Sequence, residues 1–121
     1  MLFSHQGQLA EAEAMYIRAL QGYEEALGPD HTSTLLTVNN LGILYANQGK
    51  LAKAEKMYNR ALQGCEEALG PDHTSTLDIV HNLGELYSDQ GKLAEAEAMF
   101  TRALKGCEEA LGPNHTSTVT V

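Results

Sequence analysis

Residues 27–35 read LGPDHTSTL, and the same nine letters return at residues 69–77. A variant, LGPNHTSTV, stands at residues 111–119. The segment contains a Gly-Pro pair, which a helix does not run through, followed by Asp, Thr and Ser side chains of the kind that cap a helix start. It therefore predicts the end of one helix and the start of the next, three times along the chain.

The spacing between copies of this segment is constant. Gly28, Gly70 and Gly112 are separated by 42 residues each, and aligning 28–69 with 70–111 gives 31 identities in 42 without a gap. Such self-similarity indicates a repeat array. We assign residues 1–121 to a single repeat domain and expect it to be part of a longer array. It comprises a partial repeat (1–27), two full repeats (28–69 and 70–111) and the start of another (112–121).

Each repeat contains a first helix directly after this segment. Apolar residues follow one another at steps of three and four, which places them on one side of a helix. In the first full repeat they are Leu35, Val38, Leu41, Leu44 and Tyr45. We predict a helix from about Ser33 to Asn47. Asp30 or Thr32 is its expected N-cap, and Gly49 is expected to end it.

A second helix follows in each repeat. In the first full repeat it is predicted to begin near Leu51 and to end at Gly70-Pro71. Its apolar stripe comprises Leu51, Ala54, Met57, Tyr58, Ala61, Leu62, Cys65 and Leu69. Because one helix pair cannot bury its apolar faces alone, neighbouring pairs must stack. The sequence therefore predicts an all-α fold, an α-solenoid of antiparallel helix pairs.

Glycine and cysteine recur inside the second helices. Gly22, Gly64 and Gly106 each cost about 1 kcal/mol relative to Ala in a helix interior, so we expect a close helix approach to offset that cost. Cys65 and Cys107 occupy equivalent positions of successive repeats, about 10 Å apart, beyond the limit of about 7 Å for a disulfide. Both are predicted to be buried free thiols.

The spacing of the apolar residues matches a known pattern. The matching residues are Val38, Leu41, Gly42, Tyr45, Ala54, Tyr58 and Ala61 in one repeat and Val80, Leu83, Gly84, Tyr87, Ala96, Phe100 and Ala103 in the next. The pattern resembles the tetratricopeptide signature, although Val replaces the usual Trp and the closing Pro is absent.

The period of 42 residues, where about 34 is usual, resembles the kinesin-light-chain-type subclass. This subclass also occurs in sensor ATPases of fungi and bacteria. The resemblance implies a right-handed superhelix whose concave groove is lined by the first helix of each repeat.

The two full repeats differ at 11 positions. Positions 36, 39, 43 and 46 lie on one stripe of the first helix, which by the resemblance faces the groove. A rigid scaffold with variable side chains suits peptide recognition, although exposed residues also drift neutrally. We attribute the differences at positions 53, 56, 59 and 63, on the outer face of the second helix, to drift.

We predict a peptide-binding groove in which two constant asparagines accompany the variable residues. The resemblance implies that Asn40 and Asn82 hold a peptide amide by two hydrogen bonds; alternatively, they hold neighbouring helices together. No Lys or Arg stands at the groove positions, which argues against a clamp for a terminal carboxylate. The predicted groove residues are Leu36, Asn39, Asn40, Ile43, Asn47, Asp78, His81, Asn82, Glu85 and Asp89. Their carboxylates favour a basic or amide-rich protein segment as the partner.

Composition and motifs argue against other classes of function. The formal net charge is −8, from 16 acidic and 8 basic residues without a basic cluster, so nucleic acid is not an expected partner. The sequence has no apolar run long enough for a membrane and no signal peptide, which predicts a cytoplasmic protein with no membrane partner. It contains neither a catalytic motif nor a phosphate-binding loop, so we expect no enzyme activity and no cofactor.

The recurring polar residues predict structure rather than chemistry. His31, His73 and His115 hold the same register about 10 Å or more apart, too far to share one metal ion. We therefore expect local hydrogen bonds for each histidine and no metal site. The Glu pairs at 24/25, 66/67 and 108/109 are predicted to be solvated at helix ends.

Three functions stay open at the level of sequence. The first is a protein-interaction scaffold that binds a peptide or protein segment in the groove. The second is a kinesin-light-chain-like cargo adaptor, which needs heptad segments that this sequence does not contain. The third is a structural spacer or self-association module without a specific ligand. Self-association is expected through uncapped ends, where the apolar residues are Leu2, Phe3, Leu9, Val119 and Val121.

Overall fold

The computed structural model describes residues 5–111, which consist of α-helices and connecting turns. The helices are α1 His5–Leu27, α2 Thr32–Asn47, α3 Leu51–Leu69, α4 Thr74–Asp89 and α5 Leu93–Leu111. α2 and α4 are the predicted first helices, and α3 and α5 are the predicted second helices. The bounds predicted for α2 and α3 agree with the structure to within one residue.

The chain forms two compact units, Met1–Ala61 and Leu62–Val121, here called unit 1 and unit 2. The division falls inside α3 and not at a repeat boundary, and the assignment of 1–121 to one domain stays a prediction. Of the residues expected to leave the ends apolar, Leu9 is half-buried. The others, and His115, lie outside the described residues.

In unit 1, α1 and α2 run antiparallel. The Glu13 carboxylate, in the first half of α1, accepts a hydrogen bond of 3.1 Å from Nε2 of Gln48, just after α2. At the other end of the pair, the Thr34 hydroxyl donates to the Gly28 carbonyl at 2.8 Å. Early residues of one helix thus face late residues of the other.

Apolar side chains of α2 and α3 form the core of unit 1. The buried residues are Leu35, Val38, Leu41, Leu44, Tyr45, Ala54, Tyr58 and Ala61. Burying one Leu or Val side chain contributes about 1.5–3 kcal/mol, so each such residue of this stripe stabilises the helix pair by that order. Four residues that were predicted to share the buried stripe of α3 are only half-buried: Leu51, Met57, Leu62 and Leu69.

α2 and α3 approach each other closely at Gly42. A Cβ atom on Gly42 would lie 2.7 Å from Cδ1 and Cε1 of Tyr58. Because Tyr58 is 3% exposed and enclosed by the core, its ring has no free space to move into. The absence of a side chain at Gly42 therefore permits the helices to pack.

In unit 2, α4 packs against α5 in the same antiparallel way. Leu77, near the start of α4, contacts Gly106, near the end of α5. Tyr87, near the end of α4, has the Nζ of Lys92 at 5.7 Å from its ring centroid. The buried residues of this unit are Cys65, Leu77, Ile79, Val80, Leu83, Leu86, Ala96 and Ala103.

The close approach predicted for the interior glycines is confirmed at one of them. A Cβ atom on Gly106 would lie 2.5 Å from Cδ2 of Leu77, which is 3% exposed. Gly64 is buried. Gly22 has no atom within 4 Å of such a Cβ, so the prediction is wrong there.

The turn between α2 and α3 ends α2 by backbone hydrogen bonds. Gly49 has φ +79°, and its N–H donates to the Ala46 carbonyl at 3.0 Å. The Lys50 N–H donates to the Tyr45 carbonyl at 2.8 Å. These two bonds form a Schellman motif, which requires a left-handed residue and so favours Gly. The prediction that Gly49 ends the first helix is confirmed.

The turn between α1 and α2 is held differently. Gly28 has φ +94°, and its N–H donates to the Glu24 carbonyl at 3.1 Å. The hydroxyl of Thr34, whose side chain is fully buried, binds the Gly28 carbonyl and so ties the end of α1 to the start of α2. In unit 2, Thr76 makes the equivalent bond of 2.9 Å to Gly70.

The N-cap of each first helix is a histidine. His31 has an extended backbone (φ −67°, ψ 146°), and its Nδ1 accepts a hydrogen bond of 3.1 Å from the Ser33 N–H. Because α2 already includes Thr32, the cap position falls on His31, and the prediction of Asp30 or Thr32 is wrong. His73 makes the same bond to the Ser75 N–H. The local hydrogen bonds predicted for these two histidines are confirmed.

Candidate binding surface

In unit 1, one face of α2 is open to solvent. Leu36 is 40% exposed and Ile43 is 37% exposed, and both lie on this face with the exposed Asn40 and Asn47. The four residues follow one another at steps of four, three and four, as on one side of a helix. Since α2 contains no charged residue, this face presents apolar and amide groups.

Asn39 does not lie on the open face. It is 8% exposed, although the variable stripe predicted it beside Leu36 and Ile43. Asn39 stands four residues after Leu35 and three before Gly42, both buried, so it belongs to the inner side of α2. Its prediction as an open groove residue is therefore corrected.

In unit 2, the corresponding face of α4 is acidic. Asp78, Glu85 and Asp89 are exposed, and α4 carries neither Lys nor Arg. His81 is also exposed, and its Nε2 lies 3.8 Å from Oε1 of Glu85, one helical turn later. Asn82 is half-buried and makes an interaction of its own within the chain.

A small pocket of about 240 Å³ adjoins this face of unit 2. His81 and Phe100 border it, with ring centroids 5.3 Å apart and planes at 56°. The rest of its lining is Thr101, Ala103 and Leu104. Phe100 was named from the sequence only as a residue of the repeat pattern; it is 36% exposed, whereas Tyr58 at the same repeat position is 3% exposed. The change of Asn39 to His81 beside this ring was the one sequence signal for the pocket.

The outer faces of α3 and α5 are exposed at the variable positions, as predicted. These positions carry Lys53, Lys56, Asn59 and Gln63 in α3 and Glu95, Ala98, Thr101 and Lys105 in α5. Two of the three Glu pairs differ from the prediction, each at one member. Glu24 binds Arg60 at 2.8 Å, and Glu66 binds Arg102, so one member of each of these pairs joins two second helices instead of being freely solvated.

The two cysteines are free thiols in unequal surroundings. Cys65 is fully buried, and this burial raises the pKa of its thiol. Cys107 is only half-buried, because its side of α5 is less covered, so the prediction of two buried thiols is wrong for Cys107. Burial, together with the nearby Glu13 carboxylate, also raises the pKa of Tyr45.

Residues 5–111 contain no group of three or more His, Cys, Asp or Glu that could hold a metal ion. Among the described helices, none is both long enough and apolar enough to cross a bilayer. The open faces of α2 and α4 are therefore the surfaces to which we assign a function.

The sequence and fold match one protein family. A family model for the tetratricopeptide repeat matches residues 1–67, 33–109 and 75–121 and so spans the chain. The chain belongs to the tetratricopeptide repeat family, and its fold class is an all-α solenoid. The predicted family and fold class are confirmed.

A solved structure of similar fold is the crystal structure of BtubC (BKLC) from P. vanneervenii, with a TM-score of 0.80 and 25% identity. The similarity covers 85% of this chain but only 41% of BtubC, so the chain spans about two fifths of that protein. BtubC is kinesin light chain-like, in agreement with the predicted subclass. No curated protein sequence matches the chain.

Tetratricopeptide repeats generally mediate protein–protein interaction, and the family is typically non-catalytic. The chain is accordingly a protein-interaction repeat scaffold.

Proposed function

We propose that this chain binds a protein segment on the open faces of its first helices. The observation that carries the proposal is that five of the six positions at which α4 differs from α2 are exposed in α4, with Ile79 as the buried exception. In α4, Asp78 and Glu85 differ from the preceding repeat and are exposed, whereas Leu83 and Gly84 are unchanged and buried. A constant core that presents changing side chains suits recognition, since rigid presentation lowers the ordering cost of binding.

The chemistry of each face suggests what it binds. The face of α4 carries three exposed carboxylates and no cation, so it favours Lys or Arg side chains in the partner. The face of α2, with Leu36, Asn40 and Ile43, favours apolar or amide side chains. Asn40 is exposed and has the donor and acceptor needed to bind a peptide amide. The partner we propose is a basic or amide-rich segment of another protein.

Binding of labelled peptides tests this proposal. A library should yield ligands enriched in Lys and Arg, and Glu85→Lys should weaken the best of them about tenfold or more by placing like charges together. Fluorescence anisotropy at low and moderate salt measures the affinity, which should fall as salt screens the attraction. Asn40→Ala should weaken ligands that bind the face of α2.

Glu95→Lys is the matched control. Glu95 is exposed in the first turn of α5, and its substitution makes the same change of net charge outside the proposed face. If it weakens binding as much as Glu85→Lys, the effect comes from overall charge and the assignment of the face is wrong. Ligands without a basic preference would contradict the proposed partner.

The likeness to BtubC favours a second candidate, a kinesin-light-chain-like adaptor that binds a folded cargo protein. The two candidates differ in whether the partner must keep its folded structure in order to bind. A linear segment binds after the partner has been unfolded or cut into peptides, whereas a folded cargo surface does not. Pull-down with intact and digested partner fragments separates the two candidates.

A further inference from the structure

α2 and α4 begin with the same histidine cap, and the geometry of this cap fixes the protonation state of the ring. Nδ1 of His31 accepts a hydrogen bond of 3.1 Å from the Ser33 N–H, and Nδ1 of His73 accepts one of 3.1 Å from the Ser75 N–H. An imidazole nitrogen accepts a hydrogen bond only when it carries no proton. Each cap therefore requires a neutral ring whose single proton is on Nε2.

A second proton turns this cap into a repulsive contact. In the charged ring both nitrogens are donors, so Nδ1–H would point at the backbone N–H that Nδ1 now binds. The ring would also place a positive charge at the N-terminus of a helix, where the helix dipole favours a negative one. Protonation and capping therefore exclude each other at His31 and at His73.

The cap bond is the one polar contact that holds each ring in place within the described part of the chain. Neither imidazole makes a second hydrogen bond, an ion pair or an aromatic contact with residues 5–111. Both histidines are exposed, so a proton reaches them directly from the solvent. A ring that takes up a proton is therefore free to leave the cap.

The charged groups at each cap are mostly carboxylates. Those of unit 1, from the turn, α1 and α3, are Asp30, the Glu pair at 24/25 and Arg60. Those of unit 2, from the turn and the three helices, are Asp72, Asp78, Arg102, Lys105 and the Glu pairs at 66/67 and 108/109. Each arginine is bound to a glutamate, so the surrounding charge favours the uptake of a proton.

We propose that the two histidine caps form a pH-sensitive switch, in which protonation of His31 and His73 releases the first turns of α2 and α4. Histidine changes its charge between about pH 5 and 8. Each cap thus stabilises the protein at neutral pH, and this contribution is lost as the pH falls. The loss occurs at the turns in which Thr34 and Thr76 join each first helix to the preceding second helix. The switch does not depend on the segment binding proposed above.

NMR spectroscopy tests the cap bonds directly. At about pH 7.5, the nitrogen resonances of His31 and His73 should show the tautomer with the proton on Nε2. As the pH falls to about 5.5, the amide resonances of Ser33 and Ser75 should shift with the same midpoint as the ring of their own cap. Amide resonances that stay in place while the rings titrate would show that capping survives protonation, which overturns the proposal.

Thermal unfolding of a variant with caps that do not titrate tests the effect on stability. Asn is a preferred N-cap whose side-chain oxygen accepts a hydrogen bond at either pH, so a variant with both His31→Asn and His73→Asn keeps its caps in acid. Between about pH 7.5 and 5.5, the wild type should lose about 5 °C more in melting temperature than this variant. About 0.2 M NaCl screens the exposed carboxylates, so that the difference reports the cap bonds.

His81→Asn is the matched control. His81 is exposed and does not cap a helix, and the preceding repeat carries Asn39 at the same position. Its contact with Glu85 is exposed and contributes little, so this variant should keep the pH dependence of the wild type. If the wild type and the variant with both caps replaced respond equally to pH, the proposal is wrong. A pH dependence that disappears in His81→Asn would also overturn it, because the response would then come from His81.

Discussion

At the scale of single residues, two glycines inside helices differ in what surrounds them. Gly42 in α2 faces the buried ring of Tyr58, whereas Gly22 in α1 has open space around it. The same substitution at the two positions should therefore have opposite effects on the free energy of unfolding.

We expect Gly42→Ala to destabilise the protein by about 1–3 kcal/mol, because a methyl group would overlap the Tyr58 ring. Gly22→Ala should stabilise it by about 0.5–1 kcal/mol through higher helix propensity. Urea unfolding followed by circular dichroism, at protein concentrations low enough to prevent association, measures both. Equal effects at the two positions would mean that helix propensity alone sets the change in the free energy of unfolding.

The burial of individual residues was predicted less well than the helices that carry them. Asn39 and His81 hold the same repeat position, as do Tyr58 and Phe100, yet within each pair one residue is buried and the other is open. Repeat position determines which side of a helix a residue takes, but not how much of that side its neighbours cover. Only coordinates supply that second quantity, so the burial of Asn39 could not be predicted, and the change of Asn39 to His81 was not enough to predict the pocket beside Phe100.

At the scale of helices, periodicity sufficed for the bounds of α2 and α3, because apolar spacing and Gly-Pro breaks act locally. It failed for the caps. Asp and Thr rank among the preferred N-cap residues, so propensity pointed to Asp30 or Thr32, but the backbone places His31 at the cap. Because the turn has a fixed length, it decides which residue occupies the N-cap position, whatever the intrinsic capping preference of that residue.

Substitution at the turn tests the histidine cap. His31→Ala should destabilise the protein by about 1 kcal/mol, because the Ser33 N–H loses its acceptor, while His31→Asn should restore most of the loss. Thermal unfolding measures the change. Asp30→Ala is the control and should have little effect, since Asp30 is exposed and precedes the cap. A larger effect at Asp30 would return the capping role to that residue.

At the scale of the whole molecule, net charge sets the response to salt. The chain carries a formal charge of −8, and the ion pairs found in its described part are at least partly exposed. Exposed pairs contribute about 0–1 kcal/mol each, so repulsion among unpaired carboxylates should outweigh them.

We therefore expect the melting temperature to rise by a few degrees between about 0.01 and 0.2 M NaCl, as salt screens that repulsion. Circular dichroism across the series measures the rise. A variant with Glu67→Gln and Asp72→Asn, both at exposed positions, should rise less because it starts with less repulsion. A melting temperature that falls with salt would show that the ion pairs dominate.

The Thr34–Gly28 and Thr76–Gly70 bonds close every described junction between repeats in the same manner, whatever side chains the neighbouring helix displays. Recombination between copies in the gene could thus delete, add or move a 42-residue repeat and leave the hydrogen bond at each junction unchanged. What such an exchange would rearrange is the order of neutral and acidic faces. The connector that makes the repeats interchangeable is therefore also what lets these faces be reordered as whole blocks.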